Sequence, residues 1–375
     1  MRILLISGIF PPDIGGPATF ADMLSHELVK SGHLITVVSL ADRRKMVQKN
    51  DLLKIISFTR KEAIISRFIR VTINIRKLAK KSDLVICTGL HEETGIALLG
   101  LNLCKIARVV GDPIWERVTN KNQSKISIEE FNFQKKHMNL KIVIQRKLLN
   151  FALNRFNLII TPGKHLRKII QVWNIKSPIK YLPNAINSEF FPDTRNQTKR
   201  KTLLVNSRLV KWKRIDLAIK LAKMLNYQII IAGEGPERAK LVETAKASNI
   251  RFSFVGTVDK PGLLKLLNKC SLFVQMSEYE GMSFSLLEAM KSGLLVIVSN
   301  ISPNREVVTH KKNGFVFQTN RFDLSTKELK TLLMNSKSVN RITSNAIKSI
   351  EIKHNLKRQI SFLINYQKNF VKDLA

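Results

Sequence analysis

The sequence predicts an α/β protein built from two doubly wound, Rossmann-like domains that face each other across a cleft, and three observations carry that expectation. The chain has 375 residues, which is long for one core and comfortable for two. Short runs of Ile, Val and Leu alternate along it with amphipathic helical segments, the pattern of parallel sheets covered by helices. One polar, aperiodic stretch, INSEFFPDTRNQTKRK at 186–201, interrupts this rhythm, which then restarts.

Taken in order, RILLISG is a first core strand: it is too short, and too soon followed by Pro11 and Pro12, for a secretory signal. LITVVSL, LLKIISF, DLVICTG, ARVVGD and NLIITPG follow before residue 165, and IKYLPNA makes a seventh strand. Beyond the interruption come TLLVNSR, YQIIIAGEG, RFSFVGTV, SLFVQMS, LLVIVSN and GFVFQT, alternating with helices such as RIDLAIKLAKML. A last amphipathic helix, near 353–371, has no strand after it and is expected to return to the first domain. The expected division is 1–187, 188–350 and the helix 351–375.

Composition narrows the function classes. With 44% apolar and 24% charged residues the chain is an ordinary globular protein, and no apolar run approaches the roughly 18 to 20 residues of a membrane span. Cys87, Cys104 and Cys270 are far apart and odd in number, which points to reduced thiols in a cytoplasm and away from disulfides or a zinc site. The formal charge of +35 reflects either a lysine-rich background or an anionic partner such as phosphate-bearing substrates or a membrane surface. Nucleic acid fits poorly, because aromatic residues are only 7% and do not interleave with the basic clusters. The segment 60–81 sets Ile64, Phe68, Val71, Ile75 and Leu78 on one helical stripe and Arg60, Lys61, Arg67, Arg70, Lys77 and Lys81 off it. It reads as a helix packed on the sheet with a solvated basic face, as an interfacial helix on anionic lipid, or as both.

Ligands of doubly wound domains bind at the carboxyl ends of the strands, so the residues after each strand are the candidates. After the first strand, Gly15 and Gly16 precede a helix and would turn bare N–H groups toward a phosphate, although a tight turn needing glycine explains them too. In NSRLVKWKRID, Arg208 and Lys213 flank a strand-to-helix turn where two cations could clamp a diphosphate. In EYEGMSFSLLEAM, Glu280 and Gly281 lie in a turn and a helix starts near Ser283 or Ser285. There the N–H groups of Met282, Ser283 and Phe284 suit anionic oxygens, and Glu280 and Glu288 suit ligand hydroxyls. The competing explanation for Glu288 is a capping box with Ser285.

Taken together, SRLVKWK, IAGEGPE at 231–237, FVGTV at 254–258 and EGMSFSLLEAM, with YLPNAIN at 181–187, resemble the retaining glycosyltransferases of family 4, which have the two-domain GT-B fold. The resemblance spans essentially the whole chain and is strongest over 181–317. It implies transfer of a sugar from a nucleotide-diphosphate sugar to a hydroxyl of a lipid-linked or cell-surface glycan, without a metal or other cofactor. Arg208 and Lys213 would meet the diphosphate, Glu280 the donor sugar, Glu288 the ribose and backbone near Val258 the base. Gly15 and Gly16 would approach the donor from the first domain.

The chain departs from the family's usual glycines at Ser207 and Arg214, and where many relatives carry a histidine it has Asp112, in VVGDPIWER. Asp112, as polar contact or proton acceptor, and His91, on the acceptor side, are therefore cleft candidates, each with an ordinary loop role as its rival. The expected setting is cytoplasmic, on the inner face of the plasma membrane. A nucleotide-sugar epimerase and a non-catalytic binder of anionic lipid or nucleic acid are the alternatives, and the lack of a tight glycine fingerprint after the first strand argues against a nicotinamide oxidoreductase.

Overall fold

A computed structural model describes every residue except 44, 121–125, 136–137, 188–190, 192–200 and 374–375, and the side chains of 45, 48, 49 and 120 are likewise not described. Most of the polar stretch at 186–201 therefore lies outside the described residues. The chain forms two compact units, Met1–Asn184 with Leu356–Ala375 as unit 1, and Ala185–Asn355 as unit 2.

Unit 1 is built on β1 (Arg2–Ile6), β2 (Leu34–Ala41), β3 (Lys45–Asn50), β4 (Leu53–Thr59), β5 (Leu84–Cys87), β6 (Cys104–Arg108), β7 (Leu158–Thr161) and β8 (Ile179–Tyr181). The strands lie in the order β3-β4-β2-β1-β5-β6-β7-β8. The central runs LVIC and LIIT are buried at every position, as strands covered on both faces must be. The expectation of a wholly parallel sheet needs one correction: KMVQKN forms β3, which pairs antiparallel with β4 at the sheet edge. The final helix, Leu356–Lys372, does return to this unit: Gln359 Nε2 donates to Pro183 O at 2.9 Å and Tyr366 Oη to Asn157 O at 3.0 Å.

Unit 2 holds the six expected strands, β9 (Thr202–Asn206), β10 (Gln228–Ala232), β11 (Phe252–Gly256), β12 (Leu272–Gln275), β13 (Leu295–Ser299) and β14 (Phe315–Phe317). They are all parallel, in the order β11-β10-β9-β12-β13-β14. Leu203, Ile229, Ile231, Val274, Ile297 and Phe315 belong to one buried core beneath the covering helices. Strand order reverses between β9 and β12, and the chain leaves these neighbours on opposite sides of the sheet, opening a crevice at their carboxyl ends. No described helix is long and apolar enough to cross a membrane.

Candidate functional site

The crevice of unit 2 gathers the residues that follow β9 and β12. After β9, Arg208 is exposed, with its guanidinium 5.6 Å from the centroid of the Trp212 ring, and the 3-10 turn Lys211–Lys213 leads into the helix Ile215–Leu225. This turn rests on the loop after β10, where Leu209 N donates to Glu234 O at 2.9 Å. A Cβ on Gly233 would fall 1.9 Å from Ser207 O, so only glycine permits this approach.

Lys213 Nζ donates to Glu280 Oε1 at 2.6 Å, and Ser277 Oγ donates to the same oxygen at 2.7 Å. Glu280 is buried, and its Oε2 has no hydrogen bond from the described residues. A small cavity opens beside the pair, lined in part by Asn206, Ser207, Lys213, Gln275 and Ser277. Gly281, Met282 and Ser283 carry the chain from Glu280 into the helix Phe284–Lys291.

The structure overturns the capping box proposed for Glu288. Ser283, not Ser285, is the N-cap, accepting from Leu286 N at 3.2 Å, and Ser285 Oγ instead accepts from Asn206 Nδ2 at 3.1 Å. Glu288 therefore lies beyond the first turn. It is buried and accepts from Lys260 Nζ at 2.6 Å through Oε1. Burial pushes its carboxyl above the ordinary range, with Lys260 pulling only partly back. Lys260, which sequence reasoning did not single out, also lies 4.2 Å from the centroid of the Phe191 ring. Its signal was present in DKPG, where Asp259 caps the helix Lys260–Lys269 and so fixes Lys260 two residues beyond Val258.

Arg214 has φ 46, the left-handed conformation that favours glycine, which accounts for the family preference at this place. Its guanidinium is committed within the protein, to Asp216 Oδ2 at 3.0 Å and Glu278 Oε1 at 2.6 Å, and these carboxylates raise its pKa. With Glu278 N donating to Trp212 O at 2.8 Å, this pairing ties the turn after β9 to the loop after β12.

Within unit 1, Gly15 is the N-cap of the helix Gly16–Lys30, which has no side-chain cap. His91 opens the helix His91–Ala97 after β5. It is half-buried, its Nε2 is 3.1 Å from Arg108 O, and burial lowers its pKa against the opposing pull of Glu92 and that carbonyl. Asp112 requires a correction. It is fully buried; Oδ1 accepts from Ile114 N at 3.0 Å and Trp115 N at 3.2 Å, while Oδ2 accepts from Asn132 Nδ2 at 3.0 Å and Arg146 Nη2 at 2.5 Å. A sealed carboxylate with four donors is the cap of the helix Pro113–Asn120 and the counter-ion of Arg146, and it is unsuited to accepting a substrate proton. Sequence reasoning also missed Arg108, which is buried, 3.9 Å over the Phe20 ring and pushed down to about 9 by burial. Among the described residues no group of three or more His, Cys, Asp or Glu is placed to hold a metal ion.

The family described as Glycosyltransferase Family 4 matches residues 14–190, and the family of Glycosyl transferases group 1 matches residues 187–349. The chain is 23% identical over 346 residues to an uncharacterised glycosyltransferase of Haemophilus influenzae, covering 86% of this chain and 87% of the relative. It is 31% identical over 131 residues to the GDP-mannose:cellobiosyl-diphosphopolyprenol alpha-mannosyltransferase of Komagataeibacter xylinus, covering 32% of this chain and 33% of that one. Among solved structures, Anabaena HepE in complex with UDP and glucose superposes with a TM-score of 0.77 at 15% identity, covering 98% of this chain and 100% of that one.

Proposed function

We propose that this chain, whose two halves match the models of Glycosyltransferase Family 4 and of Glycosyl transferases group 1, is a retaining family 4 hexosyltransferase of the GT-B fold that uses a nucleotide-diphosphate sugar and acts on a lipid-linked or cell-surface glycan. The observation that carries the reading is the Lys213–Glu280 pair, a cation and a carboxylate at 2.6 Å in the crevice between β9 and β12, beside the N-terminus of the helix Phe284–Lys291. A diphosphate needs positive charge and N–H donors, whereas a sugar needs acceptors for its hydroxyls. Here the two requirements meet at adjacent atoms.

In this reading Arg208 and Lys213 neutralise the diphosphate as the anomeric C–O bond breaks, and the N–H groups of Met282, Ser283 and Phe284 take part of the same charge. No divalent metal is called for in this account. Glu280 Oε2 accepts from a hydroxyl of the donor sugar and Glu288 Oε2 from the ribose, while backbone near Val258 meets the base. The acceptor oxygen bonds to the anomeric carbon on the face the diphosphate leaves, and its proton passes to a departing phosphate oxygen. In unit 1, Gly15 and Gly16 offer backbone N–H groups to an anion and His91 is the acceptor-side residue. The polyprenol-linked substrate named for the Komagataeibacter relative supports a lipid-borne acceptor, as does the +35 charge. The enzyme then works in the cytoplasm against the inner membrane face, with 60–81 as its contact.

A thermal-shift screen of nucleoside diphosphates and their sugars tests the proposal. A donor at a hundredfold its Kd should add about 2.7 kcal/mol of stability. No stabilisation by any of them would remove the donor assignment, and product formed from donor alone, as the other anomer or epimer, would replace transfer by epimerisation.

A further inference from the structure

Unit 1 carries two apolar ridges that its core leaves exposed. On the helix Ile64–Ala79 the inward positions are Val71, Ile75 and Ala79, whereas Ile65, Ile69 and Ile73 stand 52–75% exposed. On the helix Leu140–Leu153 the inward positions include Ile142, Leu149 and Leu153, whereas Leu140, Ile144 and Leu148 stand 41–77% exposed. A spacing of four residues aligns each triplet along one stripe.

The short helix His91–Ala97 joins the two helices into one layer. Arg76 Nη1 donates to Ala97 O at 2.9 Å and Leu99 O at 2.7 Å, and a Cβ on Gly95 would lie 2.5 Å from Ala152 Cα. Neither ridge helix contains an acidic residue, and exposed Lys77, Lys80, Lys81, Lys141, Lys147 and Arg155 lie on them or at their ends. Scattered exposed hydrophobics are ordinary, but two basic-flanked stripes on helices that pack on one shared helix form a surface with a consistent chemistry.

We propose that this two-helix face docks on an anionic lipid bilayer. Its isoleucines and leucines enter the headgroup boundary, and the flanking cations meet the headgroups. The inference rests on the membrane contact in the function proposed above, and it widens that contact from one helix to two. A second copy of the chain is a poorer occupant, since two such faces would set like charges against each other at a net +35 per chain.

The test is co-sedimentation of the full chain with vesicles of phosphatidylcholine alone or doped with phosphatidylglycerol. The variants are Ile69→Glu and Ile144→Glu, with Leu324→Glu, an exposed position of unit 2, as the control. The expected result is binding that requires phosphatidylglycerol, weakens with salt, falls about tenfold or more in either ridge variant and is unchanged in the control. Melting temperatures should not move, because all three sites are exposed. Wild-type binding indifferent to phosphatidylglycerol would overturn the proposal. So would Ile144→Glu binding like wild type, which would leave the contact to the helix Ile64–Ala79 alone. A vesicle-independent dimer that either ridge variant dissolves would reassign the face to self-association. Nucleotide thermal shifts on the same preparations keep a failed donor assignment distinct from a failed docking face.

Discussion

Replacing Glu280 by glutamine separates a donor contact from a structural strut. The carboxylate takes Lys213 Nζ at 2.6 Å and Ser277 Oγ at 2.7 Å on one oxygen, and its side chain is 8% exposed. Glutamine keeps the volume and an acceptor oxygen, but Lys213 then faces a dipole instead of a charge. Breaking a fully buried pair costs about 3–5 kcal/mol. Lys213 keeps 16% of its side chain exposed and loses no acceptor atom, so the loss should be nearer 1–2 kcal/mol. At about 2–4 °C per kcal/mol for a domain of this size, the melting temperature should fall by roughly 2–8 °C. Transfer should suffer more. A hydrogen bond from a sugar hydroxyl to a charged group is worth about 1.5–3 kcal/mol, which is roughly a 10- to 150-fold loss in kcat/KM. Nucleoside diphosphate affinity should hold or rise, because Lys213 is released from its counter-ion. Calorimetric titration of the diphosphate, alongside initial rates of transfer, reads both quantities. If affinity and transfer fall by one common factor, or if transfer is untouched, the carboxylate is a strut and the assignment fails.

Glu288→Gln should have the opposite profile. Because burial raises its folded pKa above the unfolded value of 4.5, stability is lost as pH rises through the folded pKa; the glutamine variant should therefore melt higher at neutral pH, by up to about 1 kcal/mol, yet bind nucleotide about tenfold less well by calorimetry. Asp112→Asn should leave Arg146, only 11% exposed, without its counter-charge and cost about 3–5 kcal/mol in a denaturant melt; a normally stable variant that loses turnover alone would restore Asp112 as a proton acceptor. Arg214→Gly trades two partly exposed ion pairs for relief of a left-handed residue, so stability should stay within about 1 kcal/mol and transfer within a few-fold; a large loss of diphosphate affinity would mean that Arg214 reaches the phosphates. His91 has a folded pKa below the unfolded 6.5, so the unfolded chain takes up a proton that the fold refuses; stability should decline as pH drops below about 6.5, and His91→Gln should flatten that slope in urea melts.

What the sequence disclosed and what it withheld divide along one physical line. The buried strands were legible because a strand covered on both faces must be apolar throughout, as in LVIC and LIIT. KMVQKN was not legible, because an edge strand has only one neighbour and its polar residues leave no run to detect. The cap of Pro113–Asn120 was in principle readable, since Asp followed by Pro is a common way to open a helix. Its partner Arg146, 34 residues away, was not. Likewise Ser-x-x-Glu in SLLE suggested a capping box, but the helix starts two residues earlier, where Ser283 caps it. Local chemistry is written locally, whereas pairing is decided by which strands become neighbours.

The same rule makes the crevice of unit 2 legible in its motifs. β9 is central, and the crossover after β11 returns the chain to its other side as β12. Any residues placed after those two strands must converge, whatever their separation in sequence, and Lys213 and Glu280 are 67 residues apart. In this way Lys213 of NSRLVKWK meets Glu280 of EYEGMSFSLLEAM. Lys260 belongs to neither motif because it follows β11, the edge strand, and reaches Glu288 across the front of the sheet.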